Sequence, residues 1–374
     1  MSSPPATLPR APGHAAGLPS LRGAWFAPGA ARLRAGPALT LFTLLAAAAV
    51  VSALSLGAYE ITLPRLLAAV RGALLSGLAD PSADQRVLFD VRAPRVLLGA
   101  CTGAALGVAG ALMQGLLRNP LADPSLIGVS SGAAFGAALT IVLGPALLPG
   151  MSAMLGDWTL MAAAFGAGLL VTAVVERISR VGGQSRLAVM LLAGIALNAL
   201  AMAGIGFLSS IATDVQLRAL NFWLLGSLGA ARWAPALVIA AMVLPALLLV
   251  LRLAGELNAL ALGEAQARLL GVPVERVKLI GVVAGALAVG AVTSLTGTVG
   301  FIGLVAPHLV RLAGGPDHRV VLPGSALLGA ALVIAADTAA RTWFAPAELP
   351  LGVLTAFIGT PLFLALLWRQ RERL

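Results

Sequence analysis

The chain alternates long apolar runs, almost free of Asp, Glu, Lys and Arg, with short segments where charge collects. Runs at 37–58, 96–117, 125–144, 158–175, 187–211 and 233–251 each approach the ~20 residues that cross a bilayer core as a helix. The run 279–310 would be roughly 48 Å long as one helix, more than a bilayer needs. Gly297 and Gly300 bracket a break in it, so it predicts two spans. Runs at 320–340 and 349–368 bring the expected number of spans to ten. The run 125–144 is expected to close at a Gly144-Pro145 turn. Pro235, Pro245, Pro307, Pro323 and Pro361 lie in or beside spans and predict kinked or broken helices. Strand-like alternation is not visible, which argues against a β-barrel. The expected fold class is an all-α integral membrane bundle.

Composition agrees. Of the 374 residues, 59% are hydrophobic and 11% charged, and the mean hydropathy is +0.96. A soluble chain would be about a quarter charged. Lipid is therefore the solvent for most of this chain, and helices satisfy every backbone polar group within one segment. The net charge of +10 does not form a basic stripe, so nucleic acid is not an expected partner. Its distribution instead sets orientation. With both termini in the cytoplasm, seventeen of the 25 basic residues fall on the cytoplasmic side. Residues 1–36, rich in Arg and Pro, predict a disordered cytoplasmic tail and not a signal peptide, because the apolar run that follows is long and succeeded by many more. Residues 37–374 form the transmembrane domain.

Two loops are long. Residues 59–95, external in this topology, contain a helix-like stretch at Ile61–Leu75. Residues 252–278 are cytoplasmic. There Leu262, Ala265, Leu269 and Val272 recur at helical spacing, and Glu264 and Arg268 form an i,i+4 pair. This suits an amphipathic helix on the membrane surface or in a groove of a soluble partner.

The chemistry is mostly one of exclusion. A P-loop needs Gly-Lys-[Ser/Thr], and the one lysine, Lys278, follows Val277. Any ATP hydrolysis thus belongs to another subunit. An ion-coupled carrier usually places ionisable groups at mid-membrane. Here Asp337 is the exception, and Arg341 four residues on predicts an ion pair near the external end. His14, His308 and His318 do not cluster, and Cys101 is alone, so no metal or cofactor site is expected. No nucleophile–base or paired-carboxylate arrangement is present, so the chain is not read as an enzyme. Gly99, Gly103, Gly107, Gly110, Gly281, Gly285 and Gly290 suit close helix packing or a smooth pore wall.

Specific residues carry more. Arg92-Ala93-Pro94-Arg95 leads into a glycine-rich span that reaches Gln114-Gly115-Leu116-Leu117-Arg118-Asn119-Pro120-Leu121-Ala122-Asp123-Pro124 and Gly128-Val129-Ser130-Ser131-Gly132. Ala261-Leu262-Gly263-Glu264, Gly300-Phe301-Ile302-Gly303-Leu304-Val305-Ala306-Pro307-His308, Asp317-His318-Arg319 and Glu348-Leu349-Pro350-Leu351-Gly352 follow. Together, over about residues 37–370, they closely resemble the permease family of ABC importers for iron–siderophore complexes, haem and vitamin B12. The resemblance implies a ten-helix subunit in the bacterial inner membrane. It pairs with a second copy, with two ATPase subunits that bind ATP and Mg, and with a periplasmic substrate-binding protein. No internal repeat is visible in the sequence.

By position, the resemblance makes Arg92, Arg95 and Arg341 docking groups for carboxylates of the binding protein. Asn119, Leu121, Gln184 and Ser185 match a cytoplasmic gate. Leu257, Ala261, Leu262, Gly263, Glu264, Ala267, Arg268 and Gly271 match the coupling region that sits in a cleft of the ATPase. The segments 122–128, Phe222–Gly229 and Gly315–Arg319 look most like the haem-importing branch. Iron–siderophore and cobalamin remain open as substrates, and an ion-coupled secondary transporter is the rival class.

Overall fold

The computed structural model describes residues 33–76, 80–147, 150, 154, 156–344 and 348–370. Most of the expected tail, with His14, lies outside these. Fifteen helices are labelled here in chain order: α1 Ala35–Ser55, α2 Leu63–Ser76, α3 Ala83–Arg86, α4 Ala93–Leu117, α5 Val129–Leu147, α6 Asp157–Ser179, α7 Leu187–Ile211 and α8 Asp214–Leu225. They continue as α9 Trp233–Arg252, α10 Ala254–Ala261, α11 Glu264–Leu269, α12 Val274–Thr296, α13 Ile302–Gly314, α14 His318–Thr342 and α15 Leu351–Gln370.

Among the described residues eight helices are long and apolar enough to cross a membrane, and α13 and the Leu351–Ala365 part of α15 are shorter apolar helices. These ten coincide with the ten runs, within a few residues at their ends. Three boundaries differ. The helix α5 continues through Pro145 to Leu147, so the expected Gly144-Pro145 turn is absent, and Pro145 lies in the last turn of the helix. The first residues of the expected run lie in a 3₁₀ turn, Pro124–Ile127, capped by Asp123, whose carboxylate accepts from the Ser125 amide at 2.8 Å. Ala35 already belongs to α1, two residues inside the expected tail.

The expected break in 279–310 is present. Gly297 ends α12 with φ +70°, and α13 begins at Ile302. At 13 residues α13 is about 20 Å long, too short to cross alone. The residue before it, Phe301, is non-glycine with φ +67°, a conformation rare for a bulky side chain. Gly359 of α15 makes room for it: a Cβ there would lie 2.5 Å from the Phe301 Cβ.

The core is α4, α12 and α14, with 72%, 72% and 67% of their apolar windows buried, against 22–44% for the other long spans. The outer helices thus present most of their surface to lipid or to other subunits. The glycines of α4 explain the closeness. A Cβ on Gly103 would lie 2.1 Å from the Gly329 carbonyl oxygen on α14, and one on Gly110 would lie 1.9 Å from that of Gly303 on α13. Backbone meets backbone at these crossings, which only glycine permits.

One helix was not expected. The 12-residue α8 starts with a capping box, in which Thr213 and Gln216 satisfy each other's backbone N–H groups. Its C-terminal end meets the α12–α13 break and the start of α15. The Ser227 amide donates to Thr296 O at 2.8 Å, and the Leu351 amide to Gly226 O at 2.8 Å.

Candidate functional site

Two ionic clusters lie at the ends of the core: α14 has an end in each, α4 begins in one and α12 begins in the other. The first lies where α1 and α14 end and α4 begins. The last turn of a helix leaves four carbonyls without partners. At the end of α1, Arg92 donates to the carbonyls of Leu54, Ser55 and Tyr59, and Arg341 donates to that of Ala53. Two cations at a helix C-terminus are favoured by its dipole. Gly57 lets them converge: a Cβ there would lie 2.7 Å from Arg341 Nη1 and 2.8 Å from Arg92 Nη2.

Arg95 is held by carboxylates. Its Nε and Nη2 donate to both oxygens of Asp337 at 2.9–3.1 Å, and Nη1 and Nη2 donate to Glu348 at 3.1 and 3.0 Å. The expected Asp337–Arg341 pair is present as the longer of two ion pairs to Asp337. Those groups stand 3.7 Å apart, while the bidentate partner of Asp337 comes from α4, 242 residues away in sequence. It also bears on the three expected docking groups. Arg92 is 4% exposed, and the side chains of Arg95 and Arg341 are 15% and 12% exposed. In this subunit all three are engaged by their own chain.

The second cluster holds the region expected to couple. The stretch is not one helix but two, α10 and α11, broken at Gly263 with φ +119°. Leu257 and Ala267 are buried, whereas Ala261, Arg268 and Gly271 are exposed. Leu262, Leu269 and Leu270 are 61%, 88% and 66% exposed, and they make an apolar surface at the end of the bundle. Asn258 anchors α10. Its Nδ2 donates to Asp317 Oδ1 at 2.7 Å, and its Oδ1 accepts from the His318 amide and ring Nδ1, each at 2.9 Å. A donating Nδ1 assigns the ring proton to that nitrogen. Burial works to raise the Asp317 carboxyl, but the Asn258 amide and the Arg319 N–H outweigh it and hold the group below its ordinary range. The Asp317-His318-Arg319 motif, singled out for its likeness to one substrate branch, thus fastens the coupling region.

Glu264, Arg268, Glu275 and Lys278 form the other anchor. Lys278 is 3% exposed, and its Nζ lies 2.9 Å from Glu264 and 3.5 Å from Glu275. Arg268 pairs with Glu275 at 3.1 Å and with Glu264 at 3.6 Å. The same lysine donates to the carbonyl of Ser185 at 3.1 Å, and Glu275 accepts the Ser185 amide at 2.8 Å.

Ser185 belongs to a small hairpin, β1 Arg180–Val181 and β2 Gln184–Ser185. Gly182 and Gly183 turn it with φ +62° and +78°, the positive pair that a two-residue hairpin turn requires. The structure therefore separates the two halves of the expected gate. Gln184 is exposed, but Ser185 is buried and bound to α12. In the other loop Asn119 and Leu121 are exposed, and Asn119 Oδ1 accepts from the Leu121 amide at 2.9 Å. A cavity of about 370 Å³ lies beyond this loop, between Leu106, Asp123, Ser130 and the Thr298–Leu304 break. A second, of about 400 Å³, lies between α10 and the ends of α4, α13 and α14, with Arg118, Arg311 and Asp317 in its wall. Neither cavity involves Gln184 or Ser185. Among the described residues no group of three His, Cys, Asp or Glu side chains is placed to hold a metal.

Sequence reasoning missed Asn258, Glu275 and Lys278. The signal for Lys278 was present: a single lysine, in a chain that otherwise uses arginine, one turn inside an apolar helix.

Comparison with known proteins agrees with this architecture. The chain is 48% identical over 287 residues to the hemin transport system permease protein HmuU of Yersinia pestis, covering 77% of this chain and 84% of that one. It is 41% identical over 286 residues to the vitamin B12 import system permease protein BtuC of Escherichia coli, covering 76% and 84%. A solved inward-facing structure assigned to the metal-chelate type of ABC transporter superposes with a TM-score of 0.78 at 31% identity, over 89% of this chain and 99% of that one. The profile of the FecCD transport family matches residues 44–369. With ten apolar helices, a charged anchor at each end of the core and these relatives, the chain belongs to the FecCD transport family, as an ABC transporter permease.

Proposed function

We propose that the chain is the permease subunit of a haem importer of the bacterial inner membrane. The observation that carries the substrate is the 48% identity to the hemin permease HmuU across 84% of that protein's length, above the 41% to the vitamin B12 permease BtuC. Two copies form the translocation path, and two ATPase subunits bind and hydrolyse ATP with Mg. A periplasmic binding protein delivers substrate. The apolar surface of Leu262, Leu269 and Leu270 suits the ATPase contact, because it is exposed, lies at a helix break and is fastened to the core by Asn258 and Lys278. The surplus of basic residues assigns that end, and both termini, to the cytoplasm.

Under this reading the Arg92–Arg95–Arg341 cluster faces the binding protein. It has three cations against Asp337 and Glu348, and the Glu348 side chain is 43% exposed. A carboxylate of the partner would exchange for Glu348 on Arg95. The test is uptake into proteoliposomes containing the complete complex. Haem accumulation that requires both ATP and the binding protein supports the proposal. Uptake of a ferric siderophore or cobalamin instead keeps the class and moves the substrate. Uptake driven by an ion gradient without ATP removes the class.

A further inference from the structure

We propose that Lys278 is a positioning residue that ties the coupling region to the 180–185 hairpin, so that a displacement of α11 is delivered to Gln184. This rests on the importer reading above. Lys278 stands where three elements meet. It is on the first turns of α12, it pairs with Glu264 on α11 at 2.9 Å, and it donates to the Ser185 carbonyl of the hairpin at 3.1 Å. Glu275, one turn earlier, closes the loop by accepting the Ser185 amide at 2.8 Å and pairing with Arg268 at 3.1 Å.

The choice of lysine is informative. The chain has 25 basic residues, and 24 of them are arginine. A guanidinium is a planar fork suited to a carboxylate, whereas an ammonium is a compact point with three donors in different directions. At Lys278 the acceptors are two carboxylates and one backbone carbonyl on separate elements, which one ammonium can serve together. Burial raises the stakes. At 3% exposure the ammonium has no water to replace a lost partner, so moving Glu264 without the hairpin would cost it its shortest ion pair, with only Glu275 and the Ser185 carbonyl left. Coupled displacement avoids that cost. The tip of the hairpin is free of the bundle: Val181, Gly182, Gly183 and Gln184 are exposed, and its hold is at Ser185, which is buried and bound by Lys278, Glu275 and the Ser179 hydroxyl. Movement of the tie therefore moves the tip that carries Gln184.

The test uses the full transporter with its ATPase and binding protein in proteoliposomes, and reads haem moved per ATP hydrolysed. Lys278→Met removes the tie at its centre. Glu264→Gln cuts only the α11 side and leaves the bond to Ser185. Lys278→Arg keeps the charge and the reach. Coupling energies of about 1–3 kcal/mol correspond to roughly 5–150-fold, so each of the first two variants should lower transport per ATP by at least about fivefold while hydrolysis continues. The double variant should be no worse than either single, and Lys278→Arg should recover part of the loss. A fluorophore at Gln184 should report a change on ATP binding in the parent transporter and a smaller one in Lys278→Met, where the Arg268–Glu275–Ser185 path remains. Additive losses, or an unchanged Gln184 response in Lys278→Met, would overturn the tie. A parent transporter that moves no haem with ATP would instead remove the importer reading on which it stands.

Discussion

Replacing Arg95 by alanine separates two roles that one arginine can play. The Asp337 side chain is 8% exposed and that of Arg95 15%, while that of Glu348 is 43% exposed. Removing one member of a buried, hydrogen-bonded pair costs about 3–5 kcal/mol, because the survivor is left charged and dry. An exposed pair contributes about 0.2–1 kcal/mol. Arg95→Ala is therefore expected to lose about 3–5 kcal/mol, nearly all of it through Asp337, and Glu348→Ala less than about 1 kcal/mol. Asp337→Ala should cost at least as much as Arg95→Ala, since it leaves Arg92, Arg95 and Arg341 close together with only Glu348 against them. Replacing Arg95 and Asp337 together by leucines should recover much of the loss, because the charges that lose a partner are the half-exposed Glu348 and Arg341, which keeps the Ala53 carbonyl. The assay is unfolding of the purified permease by SDS in mixed micelles, with no partner protein present, analysed as a double-mutant cycle. If Arg95 only docked a partner, Arg95→Ala would unfold like the parent and show no coupling to Asp337→Ala. That result would refute the reasoning.

Three further outcomes follow from particular contacts. Gly110→Leu should destroy the crossing of α4 on α13, because a Cβ there lies 1.9 Å from the Gly303 oxygen; overpacking costs of about 1–3 kcal/mol or more would lower Tm in detergent, while Gly255→Ala, with nothing within 4 Å, would not. Gly263→Val forces a β-branched residue to φ +119°, so the turn between α10 and α11 must change; ATP hydrolysis should be uncoupled from import in proteoliposomes while the complex still assembles. Leu269→Asp alters a side chain that is 88% exposed and should leave the permease alone stable within about 0.5 kcal/mol; co-purification with the ATPase should fall.

The spans were legible because lipid leaves the chain few choices. A run such as 187–211 has no other way to satisfy its backbone, and α7 occupies those residues. The helix α8 was not legible by the same logic. It carries Asp214 and Arg218, so it breaks the charge-free pattern, and its one local signal was the Thr213–Gln216 capping box. The arginines show a different limit. Sequence marks Arg92 and Arg95 as cations beside a span, but their partners are the carbonyls that end α1 and a carboxylate on α14. Those partners exist only after the helices have packed. The motifs were legible as a resemblance and opaque as geometry. Phe222–Gly229 reads as a sequence signature, yet Gly226 has φ +72°, and a Cβ on it would lie 2.4 Å from the Thr298 oxygen. A Cβ on Gly352, in the Glu348–Gly352 motif, would likewise lie 2.4 Å from the Leu225 oxygen. Segments far apart in sequence share one backbone junction, and each glycine is there because another segment's carbonyl is.

That junction and the two ionic clusters limit how the subunit can move. The helix α14 runs from one cluster to the other, α12 starts in one and α4 in the other, and α4 meets α14 and α13 by backbone contact at Gly103 and Gly110. Close-packed backbones leave no side chains to compress, so such a unit shifts as a body and does not bend to absorb displacement. A force applied at Glu264 through the buried ammonium of Lys278 enters the first turns of α12. From there it passes into a core whose far end carries Arg95 and Asp337. The peripheral helices α1, α6 and α7 have 22–28% of their windows buried, so they have fewer neighbours within this subunit to move against. The ends of the core should therefore respond together. The fixed geometry of the core explains why both its ends are finished with ion pairs and not with flexible solvated charge.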